Sequence, residues 1–571
     1  MRSSFFGLET GLRALLAQQQ AIDLTGHNIA NANTPGFSRQ VARLEATTPY
    51  PVPAFNRMSS AGQMGTGVIA GSIERMRDLF IDMQLRTELA AQGDWTITRD
   101  MLARVEAVMN EPSDSGLNAL LNRFWDGWQD VSTSPQNLSV RASLVERAAG
   151  LAEAFQRQHS QLRTVQSDIA EQVAISLRQF NSLLDRLAAL NVQIVGVTNT
   201  GNQPNDFFDR RDQLLEELSK LAKVRVTIAP DGAAIVQLGS ALLVDRDQVH
   251  HLTSAVDSSG TLEIRWANEP GAPVISGGEL AGLLRLHNET IPEYLERLDA
   301  VARLLIESVN SAHAAGYDLN GESGRPFFAG SGAGDIAVAD AIVADSSRIA
   351  AASTPGASGD GSRALAIARL RDDATILDAA TALRPGTALP GVPGVTLTGV
   401  EVTGAPPGAR FTLTRTASGQ LTMTDGNSTS QTVTLADLPS GGAQIINFSL
   451  FGVTLVVRSD TSASATADQL ATALQGQIAT AAAKGSANSL YQALIVRLGI
   501  DGRTAQEMSA NQDTLVQHLQ RRREAVSGVS LDEEATNLVR LQHAYQAAAR
   551  FITAVDQMLD RLINNTGIVG R

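Results

Sequence analysis

Residues 527–551 read SGVSLDEEATNLVRLQHAYQAAARF. Gly528 breaks any helix that precedes it, and Ser530 with Glu533 then matches a capping box, in which a hydroxyl and a carboxylate satisfy free backbone N–H groups at a helix start. Asp532 and Glu534 add negative charge where the helix dipole is positive. Beyond the cap, Leu531, Ala535, Leu538, Leu541, Tyr545, Ala548, Ile552, Val555, Leu559 and Leu562 recur at steps of three and four, which aligns them on one apolar seam. At 1.5 Å per residue that seam is about 45 to 50 Å long. A lone helix is marginal in water, and a seam leucine gains roughly 1.5 to 3 kcal/mol only when something covers it. The helix therefore needs a partner.

A candidate partner lies at the other end of the chain. Leu8, Leu12, Leu15, Ile22 and Ile29 repeat at helical spacing, with Gln19 and Gly26 interrupting the seam. The stretch HNIANANTPGFSRQ (27–40) then departs from helix: Asn28, Asn31 and Asn33 lower its propensity, and Pro35-Gly36 favours a turn. The helix is expected to stop between Ala30 and Asn33. Periodicity alone leaves open whether the two terminal helices pair or belong to separate cores.

Between these ends the pattern changes several times. Residues 41–75, with Pro49, Pro51, Pro53 and a glycine-rich run, read as extended connector and short strand. Helical spacing returns from Asp78 to Val108, followed by a short helix with Leu117, Leu120, Leu121, Phe124 and Trp128. Ser134 reads as an N-cap with Pro135 at the first helical position. The stripe from Leu144 to Ile194 fits one bent helix or two abutting ones. A further helix begins at Pro204-Asn205-Asp206 and ends near Lys223; its Asp209, Arg210, Arg211 and Asp212 are expected on a solvated face with weak pairs.

Alternating residues from Val224 and TLEIRWA (261–267) then indicate strands. Helix resumes from Gly278 to His313, and a Gly/Ser/Ala-rich connector spans about 329–362. FTLTRT, LTMTDG, TVTLAD and VTLVVR mark a second β block within 385–457, and Met508, Leu515, Leu519 and Val526 a last internal helix. These elements predict an α+β, multidomain chain: a long helical bundle or coiled coil built from N- and C-terminal segments, with inserted β domains. The expected divisions are 1–50 with 527–571, 51–223 with 277–384 and 466–526, a small β domain at 224–276, and an outer one at 385–465.

The 571 residues carry a formal charge of -13, so nucleic acid and anionic membrane surfaces are disfavoured partners. There is no cysteine, hence no disulfide framework or thiolate chemistry. No apolar run approaches a membrane span, and the first twenty residues lack a secretory signal pattern. Catalytic, cofactor and metal motifs are not found: the histidines form no HExxH, and no phosphate-binding glycine loop or nucleophile elbow appears. His250-His251 falls on a strand and points to opposite faces, while GYDLNG (316–321) suits an Asx turn better than a calcium loop. A secreted carbohydrate-binding protein or enzyme built on the second β block would need clustered carboxylates or aromatics; Phe411, Phe448 and Phe451 are too few.

The residues resemble a known family. HNIANANTPGFSRQ is similar to the segment shared by bacterial flagellar rod, hook and hook-associated proteins. NDFFDRRDQLLEEL (205–218), SVNSAHAAGYDLNG (308–321) and SGVSLDEEATNLVRLQHAYQAAARF resemble stretches more particular to the hook-associated protein 1 family; the second β block has no such match. The resemblance implies a non-enzymatic, extracellular subunit of the flagellar tube that joins hook to filament. It also implies export in the unfolded state without a cleaved signal peptide. Expected partners are further copies of the chain, hook protein, hook-associated protein 3, the flagellar export chaperone and the export apparatus. The residues expected to pack and assemble are Leu8, Leu12, Leu15, Ile22, Asn28, Ile29, Asn31, Asn33, Pro35 and Gly36 at one end. At the other they are Ser530, Glu533, Leu538, Leu541, Tyr545, Ile552, Val555, Leu559 and Leu562. Another axial protein, such as hook protein or flagellin, is the alternative reading.

Overall fold

The computed structural model describes residues 5–50, 63–372, 387–389, 392, 395–402, 410–425, 430–448, 453–460, 464–474, 478–480 and 486–565. Pro51 and Pro53 of the expected connector, Phe451, and the side chain of Phe411 lie outside this set. In chain order the first elements are α1 (Phe6–Ala30), β1 (Gln40–Ala46), β2 (Val68–Arg75), α2 (Leu79–Met109), α3 (Leu117–Thr133), α4 (Leu138–Thr198) and α5 (Asn205–Leu221). Six short strands follow: β3 (Val224–Ile228), β4 (Ala234–Leu238), β5 (Ala241–Asp245), β6 (Gln248–Val249), β7 (Leu252–Val256) and β8 (Leu262–Trp266). Then come α6 (Glu279–Arg285), a π-type turn, α7 (Ile291–Ala314), β9 (Phe328–Ala329), β10 (Ala337–Val338), α8 (Asp340–Ala344) and α9 (Ser362–Arg369).

The second β block holds β11 (Thr387–Ala388), β12 (Val395–Val402), β13 (Arg410–Ala417), β14 (Gln420–Asp425), β15 (Ser430–Thr434), β16 (Ala443–Phe448) and β17 (Val453–Ser459). It closes with α10 (Ala467–Leu474) and β18 (Ile478–Thr480), and the chain ends in the long helices α11 (Ala487–Ser527) and α12 (Leu531–Asp560). The architecture is α+β and multidomain.

By packing, the chain divides into two compact units: Met1–Asp100, Ile169–Leu286 and Thr504–Arg571 form one, Met101–Asp168 and His287–Arg503 the other. The first holds the terminal helices, a β1–β2 antiparallel ribbon, the sheet β3-β4-β5-β6 and the β7–β8 hairpin. Asn191 ties that sheet to α4, accepting from Ala234 N at 2.8 Å and donating to Ala234 O at 2.9 Å. His250 and His251 lie between β6 and β7 rather than on a strand as expected, and make separate hydrogen bonds there with Glu269 and Asp185, each at 2.8 Å. In the second unit, Phe124 of α3 packs against Trp125, Phe327 and Phe328, and Trp128 against Phe327, all fully buried or nearly so. The sheets β11-β12-β17-β16 and β15-β14-β13-β18 share one apolar core that includes Leu413, Leu421, Met423, Ile446, Phe448 and Leu455.

Three further local expectations are corrected. The α4 cap is Asn137, whose side chain accepts from Ser139 N at 3.0 Å; Pro135 sits before it in a turn, its carbonyl taken by Arg141 Nε at 2.6 Å. A buried guanidinium needing carbonyl acceptors outweighs the propensity of Ser-Pro to start a helix. The stripe beyond it is one continuous helix of 61 residues. The stretch 329–362 is no mere connector, since it carries β10 and α8 and buries Ile336, Ile342 and Ile349. The third correction, at Asp209 to Asp212, belongs to the site below. The GYDLNG stretch does form an Asx turn, Asp318 Oδ1 accepting from Asn320 N at 2.8 Å and Glu322 N at 2.9 Å.

Candidate assembly interface

The two terminal helices lie against each other in the first unit. Their closest approach runs through glycine: a Cβ on Gly11 would stand 2.6 Å from Ile552 Cγ1, and one on Gly7 3.2 Å from Val555 Cγ1. On α1 the deepest positions are Gly11, Ala17, Ala21, Leu24, Thr25 and Asn28. Of the seam expected there, Leu8, Leu15, Ile22 and Ile29 are half-buried, while Leu12 is 50% exposed and its neighbour Leu16 51%. The α12 seam is buried to a similar degree. Leu538, Leu541, Tyr545, Ile552 and Val555 are half-buried and Leu559 is buried, whereas Leu562 is exposed, as are Phe551 and Met558 beside the seam.

Below the helix pair, three consecutive residues of the strip are each held by different elements. Ser38 donates through N and Oγ to Asp209 of α5, at 3.0 and 2.7 Å. Arg39 donates from its backbone N to Ser527 O at 2.8 Å and from Nε to Glu534 at 2.8 Å, with Glu533 3.2 Å from its Nη1. Gln40 exchanges both backbone bonds with the Asn28 side chain, at 2.9 and 3.0 Å, while its own amide meets Asp206 and Asn205 of α5. Asn28 also donates to Glu534 at 3.1 Å; both are 2% exposed. An asparagine here supplies donor and acceptor to a backbone that has left the helix. Asn31 folds back on His27 O at 3.1 Å, and Asn33, Pro35 and Gly36 are exposed, Gly36 at φ 79°. Ser530 caps α12 by accepting from Glu533 N, but the Glu533 carboxylate turns to Arg39, so the capping box is half formed.

The strip docks on a buried ionic socket. Asp209, Arg211 and Asp212 of α5 are each less than a tenth exposed, contrary to the solvated face expected of them. Arg75 reaches Asp209 at 2.7 Å and Asp212 at 3.0 Å; Arg77 reaches Asp82 at 2.6 Å and lies 3.4 Å from Asp212; Arg523 of α11 pairs with Glu216. These arginines come from distant segments, which is why spacing within α5 gave no warning. Burial opposes the ionised form of Asp212, yet Arg211, Arg77 and Arg75 hold its carboxyl below the ordinary range. Burial pushes Glu216 up despite Arg523 and Arg77. Burial likewise works against the charge of Arg77, but Asp212, Asp82 and Glu216 more than offset it. The residues missed from sequence are thus Ser38, Arg39, Gln40, Asp209, Asp212 and Glu534. The quoted motifs contained all of them, but not which of their charges would be covered.

Comparison with known proteins places this arrangement. Residues 102–328 match the flagellar hook-associated protein FlgK helical domain, residues 8–37 the flagella basal body rod protein family and residues 523–565 the C-terminal flagellar basal body rod FlgEFG family. Flagellar hook-associated protein 1 of Bacillus subtilis is 32% identical, with all of both chains covered. The chain belongs to the flagellar hook-associated protein 1 family. The Escherichia coli hook-associated protein 1 is 25% identical over 98% of this chain and 99% of its own. The solved flagellar hook junction protein of Burkholderia pseudomallei aligns at 18% identity and a TM-score of 0.49, covering 78% of this chain and 100% of that one. In this hook-associated family member the rod-type matches fall on α1 with the start of the strip and on the end of α11 with α12, segments that meet where Asn28 donates to Glu534. Among the described residues no group of three or more candidate ligands is placed to hold a metal ion, and no helix is long and apolar enough to cross a membrane.

Proposed function

We propose that this chain is a structural adaptor subunit joining flagellar hook to filament, assembled as a ring or tube segment of identical copies whose terminal helices form the inner layer. The observation that carries the reading is the outer face of the α1–α12 pair. Leu12, Leu16 and Met558 remain exposed beside the close approach at Gly7 and Gly11. Large apolar side chains left in rows on both helices gain their burial energy only from further copies. Family membership and the rod-type matches at both ends support the axial placement.

In this reading the chain passes unfolded through the flagellar export channel, which its lack of cysteine suits, and a chaperone covers the α12 seam beforehand. Hook protein and hook-associated protein 3 are its neighbours in the assembled structure. Electron microscopy of cells lacking the protein tests it: hooks without filaments, with filament subunits lost to the medium, are expected. Normal filaments on such cells would refute it.

A further inference from the structure

We infer that Glu534 makes docking of the N-terminal strip conditional on the C-terminal helix, so that residues 38–40 take their fixed conformation only once α12 supplies this carboxylate. The inference concerns contacts inside one chain and stands apart from the proposed assembly with neighbours. Besides Asn28 of α1 and the end of β2, where Met76 N donates to Arg39 O at 2.8 Å and Arg77 Nη1 to Ser38 Oγ at 3.2 Å, the strip has two anchorages. One is α5, through Asp209 on Ser38 and through Asp206 and Asn205 on Gln40. The other is the α11–α12 turn, where Ser527 O and the two carboxylate oxygens of Glu534 accept from Arg39 N, Arg39 Nε and Asn28 Nδ2.

The second anchorage decides because of what its absence leaves behind. The side chain of Glu534 is 3% exposed and that of Arg39 21%. Removing one partner of such a pair strands a largely buried charge, which costs far more than the pair itself contributes. The cheapest relief is for the strip to swing out and hydrate Arg39, which also breaks the two backbone bonds between Gln40 and Asn28. Glu533 cannot substitute, since its side chain is 65% exposed and its contact with Arg39 lies in water. The turn is built to aim Glu534: Ser530 caps the helix, and Gly528 is packed so closely that a Cβ would stand 2.4 Å from Glu524 O. Glu534 is therefore a positioning residue, acting through Arg39 and Asn28.

Hydrogen exchange on the full-length chain tests this, read at the amides of Ser38, Arg39 and Gln40 with the interior of α5 as reference. Glu534→Ala is expected to raise exchange at Arg39 and Gln40 on the order of a hundredfold while α5 stays slow, the signature of local opening. Glu534→Gln, which keeps one acceptor, gives a smaller rise, and Glu533→Ala leaves all three amides protected. Unchanged protection of Arg39 and Gln40 in Glu534→Ala would mean that the remaining contacts hold the strip without this carboxylate, and the inference falls. It falls equally if Glu533→Ala opens the strip as much. Should Glu534→Ala fail to fold, Glu534→Gln is read by the same criterion, and parental protection there overturns the inference.

Discussion

In the α1–α12 pair glycines set the closest approach and several large apolar side chains stay exposed; in the α5 socket charged side chains are innermost and little of them is seen from outside. Gly7 and Gly11 let α12 approach until Ile552 and Val555 touch the α1 backbone region, leaving Leu12 and Leu16 in water. Asp209 and Asp212 instead collect Arg75, Arg77 and Arg211 from two segments of the same unit. The socket is complete within one chain because every buried charge finds an opposite one. The helix pair is not, because its apolar rows have no cover. An interface is thus marked here by apolar surface left over after the intramolecular packing is satisfied, and the socket by charges paired within the chain.

The largest expected effect breaks the socket. Arg77→Ala removes the common partner of Asp82 and Asp212, and stability should fall by about 3 to 5 kcal/mol, the scale for stranding a buried carboxylate. Denaturant unfolding of the purified protein measures it, and a loss below about 1 kcal/mol would mean that the socket is hydrated after all. Next comes Gly11→Val, which forces two methyl groups into the space of Ile552; a destabilisation of about 1 to 3 kcal/mol is expected from overpacking. It should be confined to the terminal helices, seen as faster hydrogen exchange in α1 and α12 but not in α5.

Acid titration sharpens the contrast further. A carboxyl held below its usual range, as Asp212 is, contributes stability that is complete above the ordinary value of about 4 and is lost as pH falls through the folded value. Glu216 runs the other way: its raised value costs stability at neutral pH and returns it as pH falls. The net acid sensitivity should be partly cancelled in the parent. Glu216→Gln should make the loss of stability on acidification steeper; an unchanged slope would remove Glu216 from the balance. The smallest effect on the isolated chain is expected from Leu12→Ser or Met558→Ser, within about 0.5 kcal/mol for an exposed site. Those same variants should fail to restore filaments in cells lacking the protein. Full restoration would show that the exposed rows are not the assembly surface.

Much of the local structure was legible. Gly528 and Ser530 mark the α11–α12 break, Asn31 to Gly36 end α1 where propensity falls, and the α12 seam follows the half-buried face from Leu538 to Leu559. The exposure of Leu12 was not legible, for a physical reason. Periodicity weights large apolar residues, but two helices pack most closely where side chains are smallest, so Gly7 and Gly11 set the contact and Leu12 was turned out. Ser134 and Asn137 are both good caps, and the choice fell to the need of buried Arg141 for the Pro135 carbonyl. Asp209 and Asp212 at helical spacing look like any solvated pair, because nothing in α5 announces that Arg75 and Arg77 will arrive from more than 130 positions away.

By itself, then, the sequence determined where helices begin and end, which stretches alternate as strands, and that both ends carry seams in search of cover. Those are short-range consequences of caps, propensity and period, readable within a few turns of chain. Only the tertiary structure decided which face of α1 meets α12, and which carboxylates are sealed from water. Both depend on the distance between groups remote in sequence, and the energy of a buried charge has no meaning until its partner is in place.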